Sequence, residues 1–158
     1  MSARGGRHRS RRLDDALAFR IHRTNRLLRT HLMRLLDEHG GGMTAEQYFV
    51  LARLGEREPR RQVDLTEPVL GDPPNVSRLV DALARRGLVE RRPDPTDGRS
   101  HELHLTAPGR ELVDSLHPQV VAAREAVFAG FDAAELDALA AALDRLDENL
   151  AGLLDPEA

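Results

Sequence analysis

From residue 13 onward, apolar positions recur at helical spacing. Leu13, Leu17, Ile21, Leu28, Leu32, Leu35 and Leu36 form a stripe of mostly three- and four-residue steps, which Gly40-Gly41-Gly42 interrupts. The pattern predicts a helix over residues 13–39, ~40 Å long at about 1.5 Å per residue. That is too long for a small core to cover by itself. A second helix opens at Thr44-Ala45-Glu46-Gln47, where Thr44 can accept from a free backbone N–H and Gln47 can reach back. Its apolar positions are Phe49, Val50, Leu51 and Leu54, with Gly55 as the expected C-cap. Residues 56–61, with Pro59 among them, read as a loop.

Residues 63–70 predict a short helix that Pro68 should shorten or bend. After a turn at Gly71, Asp72 is placed to cap the next helix. Pro73 takes the first helical position, where its missing N–H costs nothing. This helix carries Val76, Leu79, Val80 and Leu83 on one face and Pro74, Arg78, Asp81 and Arg85 on the other, and Gly87 stops it. Residues 88–92 and 101–105 read as short strands, the second alternating polar and apolar, joined by the turn-forming run Pro93-Asp94-Pro95-Thr96-Asp97-Gly98. Helix, turn, helix and hairpin follow one another as in a winged helix-turn-helix.

Two more helices follow. Thr106 can cap the first, whose apolar positions are Val113, Leu116, Val120, Ala123 and Val127, and Pro118 should kink it near residues 114–118. Asp132-Ala133-Ala134-Glu135 opens the second, in which Leu136, Leu139, Leu143, Leu146, Leu150 and Leu153 alternate three- and four-residue steps like a short coiled-coil seam. Such a helix either lies on its own domain or meets a second copy. The second reading is preferred, because the long first helix and the last two need more apolar partner surface than a small winged module offers. The fold class is therefore mainly α with a small β-wing, a winged helix-turn-helix that dimerises through its N- and C-terminal helices.

Composition adds exclusions. The chain has 158 residues, 41% of them hydrophobic but only 3% aromatic, so the core must be Leu, Val and Ala. There is no Cys, which rules out disulfides, zinc-thiolate sites and thiol redox sensing. No apolar run reaches the roughly 20 residues of a membrane helix, and no apolar stretch suited to a signal peptide follows the basic N-terminus. The expected compartment is the cytoplasm, without membrane contact.

The net charge of −3 is unevenly spread. Residues 1–39 hold 10 Arg against 4 acids, residues 40–106 hold 10 against 11, and residues 107–158 hold 3 against 11. Every basic residue is Arg. Residues 1–12, which lack an apolar anchor, form an expected flexible basic arm, either a solvated tail or a contact to DNA phosphate.

Asn75-Val76-Ser77-Arg78-Leu79-Val80-Asp81-Ala82-Leu83, then Arg86-Gly87-Leu88-Val89-Glu90-Arg91, resemble the multiple-antibiotic-resistance regulator (MarR) family of transcriptional regulators. The wing Asp94-Pro95-Thr96-Asp97-Gly98-Arg99 and the exit Leu103-His104-Leu105-Thr106-Ala107-Pro108-Gly109 extend the likeness. The resemblance implies a single domain over residues 13–158, with dimerisation helices at 13–39 and 107–158 and a DNA-binding head at 44–106. It implies a homodimer on a pseudo-palindromic operator in double-stranded DNA, with the helix after Pro73 in the major groove and the wing in the minor groove. It also implies repression relieved by a small phenolic or anionic effector. The alternative is a winged-helix interaction module that has lost DNA binding, which the near-neutral head and sparse wing would suit.

Within that frame Arg99 is the foremost DNA contact, a guanidinium for the narrow minor groove held extended by Asp97, against a solvated hairpin charge. Arg78 can meet guanine or phosphate. Asn75 and Ser77 can reach base edges or serve local capping. Arg85 can face DNA or pair with Asp81 at i, i+4. Of Arg91 and Arg92, at least one should face solvent or phosphate. Phe19, Tyr48 and Phe49 are the residues able to line an effector pocket. The seven His show no ligand-pair spacing, no nucleophile constellation or phosphate loop is present, and so neither metal, cofactor nor enzymatic activity is expected.

Overall fold

Eight regular elements and one 3-10 turn make up the computed structural model, which describes residues 16–66, 70–96 and 100–154. The expected basic arm, the predicted start of the first helix at residues 13–15, Pro68, Asp97 and Arg99 lie outside them. By internal contacts the chain divides into two units, Met1–Val120 and Val121–Ala158.

In the first unit α1 (Leu17–His39) buries only Leu35 and Leu36. α2 (Ala45–Glu56) begins at the expected capping box: the Gln47 N–H donates to Thr44 Oγ1 at 3.3 Å and the Thr44 N–H to Gln47 Oε1 at 3.1 Å. The expected stop at Gly55 is not used. α2 continues to Glu56 and ends on Arg57 in an extended conformation. The segment read as a loop contains a two-residue strand, β1 (Arg60–Arg61), and the predicted helix at 63–70 is reduced to a 3-10 turn, Gln62–Leu65. β1 arises from pairing with a distant strand, which periodicity within ten residues cannot report.

α3 (Pro73–Arg85) starts where the Asp72 carboxylate accepts the Asn75 N–H at 2.9 Å. It ends in a Schellman motif. Leu88 N–H donates to Leu83 O at 3.0 Å and Gly87 N–H to Ala84 O at 2.9 Å, with Gly87 at φ 69°, a left-handed conformation that suits glycine. Val76, Val80 and Leu83 are fully buried, each stabilising the fold by roughly 1.5–3 kcal/mol relative to exposure. Val50, Leu51 and Leu54 of α2, Leu65, Leu70 and Leu103 are buried as well, and α3 packs against α2.

β2 (Val89–Pro93) and β3 (His101–Leu105) pair antiparallel, and β1 joins the other edge of β3, giving the order β1-β3-β2. The alternation read in β3 holds: Leu103 and Leu105 point inward and Glu102 and His104 lie half-buried. The Asp94 carboxylate accepts from the Thr96 N–H at 2.7 Å, and the Asp94 N–H reaches Ser100 O at 3.0 Å, closing the base of the wing.

α4 (Ala107–Val127) is capped as expected by Thr106, whose Oγ1 accepts the Gly109 N–H at 3.1 Å, and it runs on through Pro118. In the second unit, α5 (Ala133–Leu154) opens with a reciprocal pair of bonds between Asp132 and Glu135, at 2.8 and 2.9 Å. None of its residues is buried; Leu139, Leu143, Leu150, Leu153 and Leu154 are all exposed. Phe128 and Phe131 meet edge to face at 6.3 Å.

Gly109 packs against the backbone of Leu88 so closely that an added Cβ would lie 2.0 Å from the Leu88 carbonyl oxygen. Gly109→Ala is therefore expected to destabilise the protein by about 1–3 kcal/mol through overpacking, measured as a lowered urea midpoint with an unchanged slope.

Candidate nucleic-acid interface

The face of α3 that turns away from the core carries the chemistry. Arg78 and Arg85 are exposed, and neither makes a hydrogen bond or ion pair among the described residues. Ser77 is half-buried beside them. Asn75 is half-buried and locally engaged: its Nδ2 donates to Leu70 O at 2.7 Å, bracing the turn that leads into α3. Pro73 and Asp72 fix the start of the helix, so the direction of this face is set by local sequence.

The two wing arginines are held differently. Arg92 donates through Nε to Glu90 Oε1 at 3.0 Å, and its Nη2 binds the same oxygen. Arg91 reaches across to α3, where its Nη1 lies 2.7 Å from Asp81 Oδ1, while its Nη2 donates to Gln62 Oε1 at 3.3 Å. Asp81 is thus paired with Arg91 and not with Arg85 four residues along its own helix. Helical spacing offered only the local partner; the ten-residue separation of Asp81 and Arg91 carries no periodic signal.

Two further residues tie the head together without having been singled out in the sequence. The Glu58 carboxylate accepts from the Leu105 N–H and from Arg110 Nη2, joining the end of β3 and the first turn of α4 to the α2–β1 connection. Arg86 Nη2 donates to Gly41 O at 3.1 Å, linking the end of α3 to the glycine run between α1 and α2.

Between α1 and α2 lies a cleft of about 430 Å³ lined by Asn25, Leu28, Arg29, Leu32, Ala45, Glu46 and Phe49. Of the three residues expected to line a pocket, Phe49 does so. Tyr48 stacks obliquely on it at 5.7 Å, and neither Tyr48 nor the half-buried Phe19 belongs to the lining. Burial pushes the Tyr48 phenol upward from its ordinary range. At the mouth of the cleft Arg29 Nη1 lies 2.6 Å from Glu46 Oε1, and that hydrogen bond holds the Glu46 carboxyl below the usual glutamate range. Among the described residues no cluster of His, Asp and Glu is placed to hold a metal ion, and no helix is long and apolar enough to cross a membrane.

Residues 43–101 match the model of the MarR family. An HTH-type transcriptional regulator of Bacillus subtilis (strain 168), YkoM, is 33% identical over 109 residues, which is 69% of this chain and 70% of that protein. Among solved structures, the transcriptional repressor CouR bound to a 23-mer DNA duplex is 25% identical with a TM-score of 0.75, covering 85% of this chain and 94% of that one. The PcaV transcriptional regulator of Streptomyces coelicolor, in complex with its natural ligand, is 26% identical with a TM-score of 0.69, covering 84% and 95%.

Because the Glu46 carboxyl is held low, its contribution to stability is present above the ordinary glutamate range and is lost as pH falls through the depressed folded value. Glu46→Gln is expected to cost under ~1 kcal/mol at pH 7, because the pair is partly exposed and screened by solvent. Urea midpoints of the two proteins should converge as the pH is lowered.

Proposed function

This chain belongs to the MarR family and is a DNA-binding transcriptional regulator, not an enzyme; from that premise we propose a ligand-responsive repressor that acts as a homodimer on a pseudo-palindromic operator. The observation that carries the DNA half is the outward face of α3, where Arg78 and Arg85 stand exposed beside Ser77. Two guanidinium groups without a carboxylate partner among the described residues suit a phosphate backbone or guanine edges. The capped start of α3 would present Asn75 and Ser77 near the groove floor, and in this proposal Arg92 contributes from the wing, as would Asp97 and Arg99, which lie outside the described residues. The fold shared with a repressor bound to duplex DNA supports this reading.

Residues 44–106 form the DNA-binding head in this proposal, and residues 13–39 and 107–158 supply the dimer contacts. The exposed leucine row of α5 supports a partner surface of that kind. A two-fold dimer sets two heads on half-sites about one DNA turn apart.

Fluorescence anisotropy with the duplex upstream of the protein's own gene tests both points. Binding should weaken steeply between 50 and 200 mM salt, on the order of 10³-fold or more if six or more phosphates are neutralised. Saturation should come at two protomers per duplex. Arg78→Ala, Arg85→Ala and Arg99→Ala should each weaken binding, a base contact by about 1–3 kcal/mol and a phosphate contact with a salt slope reduced by about one. Affinity equal to that for a random duplex, with no effect of these substitutions, would favour an interaction module without DNA binding.

The effector site proposed is the α1–α2 cleft. Its apolar wall of Leu28, Leu32 and Phe49 beside Arg29 suits an aromatic acid whose carboxylate displaces Glu46. A solved relative holding its natural ligand supports a ligand response. Titrating aromatic carboxylic acids into the protein–DNA complex should release the duplex for at least one compound, and Arg29→Ala should abolish that response. A panel in which nothing changes operator binding would remove the effector from the proposal.

A further inference from the structure

Asp81 is the one acidic residue of α3 (Pro73–Arg85), and it lies on the helix face that also carries Arg78 and Arg85. Arg78 stands three residues before it and Arg85 four residues after, both within reach of a surface pair. An acid placed N-terminal to a cation at i, i+4 has the better orientation for such a pair, so Asp81 and Arg85 would be expected to find each other. They do not. The carboxylate is taken by Arg91 of β2 at 2.7 Å, and Gln62 steadies the other end of the same guanidinium at 3.3 Å.

We infer that Arg91 serves DNA binding without contacting DNA: it holds the Asp81 carboxylate, so that Arg78 and Arg85 remain free for the duplex. The inference rests on the reading of α3 as the DNA-contacting helix. The pair is half-exposed, with side-chain exposures of 30% for Arg91 and 46% for Asp81, and an exposed ion pair adds little to stability. Its consequence lies in where the charges are left. Without Arg91, Asp81 presents an uncompensated negative charge on the face that approaches phosphate, and two arginines of that face are near enough to be drawn onto it. The affinity of a nucleic-acid binder depends on cations that can reach phosphate, so the loss falls on α3 although the substituted residue is in the wing. Gln62 is a fitting third member, because a neutral amide orients the guanidinium without competing for its charge.

The test is a set of salt-dependent anisotropy titrations on the operator duplex with the full chain, comparing wild type, Arg91→Ala, Asp81→Ala and the double variant. Thermal unfolding of each confirms that it is folded. Arg91→Ala should weaken binding about fivefold, and adding Asp81→Ala should bring affinity back to within about twofold of wild type with the wild-type salt slope, since the charge that Arg91 restrained is gone. A double variant as weak as Arg91→Ala, with a slope reduced by about one, would overturn the inference and make Arg91 a direct phosphate contact. Asp81→Ala alone as damaging as Arg91→Ala would overturn it in favour of a structural clamp. Wild-type binding that is indifferent to Arg78→Ala and Arg85→Ala would overturn the reading of α3 itself, and this inference with it.

Discussion

Four elements meet at two consecutive peptide groups, those of Gly87 and Leu88. The Leu88 N–H closes the end of α3 on Leu83 O, and the Leu88 carbonyl accepts the Thr106 N–H at 3.1 Å where β3 gives way to α4. The Gly87 carbonyl accepts from Thr106 Oγ1 at 2.6 Å, and that oxygen also caps α4. Gly109 leaves room for the Leu88 carbonyl to lie against the first turn of α4. Each bond contributes about 1 kcal/mol at most, but together they set the angle at which β2 leaves α3. β2 and α3 are therefore fixed to each other by backbone geometry, and side chains such as Arg91 act on a frame already in place.

What the chain displayed in advance was whatever a window of a few residues can hold. Thr44 with Gln47, Asp72 with Pro73, Thr106, and Asp132 with Glu135 are local capping chemistry, and each stands where it was read. The inward set Val76, Val80 and Leu83 follows from helical period alone. β1 was not legible, because two arginines become a strand only by lying against Leu103 and Glu102, some forty residues away. The same holds for Gly55, which looked like a stop but sits inside α2 near Val113 of α4.

The candidate site divides along the same line. That Arg78 and Arg85 would face outward could be derived from period and from the apolar residues opposite them. That Asp81 would turn from Arg85 to Arg91 could not, because the choice between a local and a distant partner depends on how β2 crosses α3. The anchor of Arg86 on Gly41 O and the double use of Glu58 are of the same kind. Long charged side chains in this head act as ties between elements as often as they act as surface charge, and composition counts both uses alike.

Among the described residues, the buried apolar side chains all fall between Leu35 and Leu116, while α5 buries none. Ribosomes deliver the chain in that order, and domains fold as units as they emerge. The head therefore has every residue its core requires before the leucine row of α5 has been synthesised. During translation the buried core can therefore close while the exposed leucine row of α5 is still unmade.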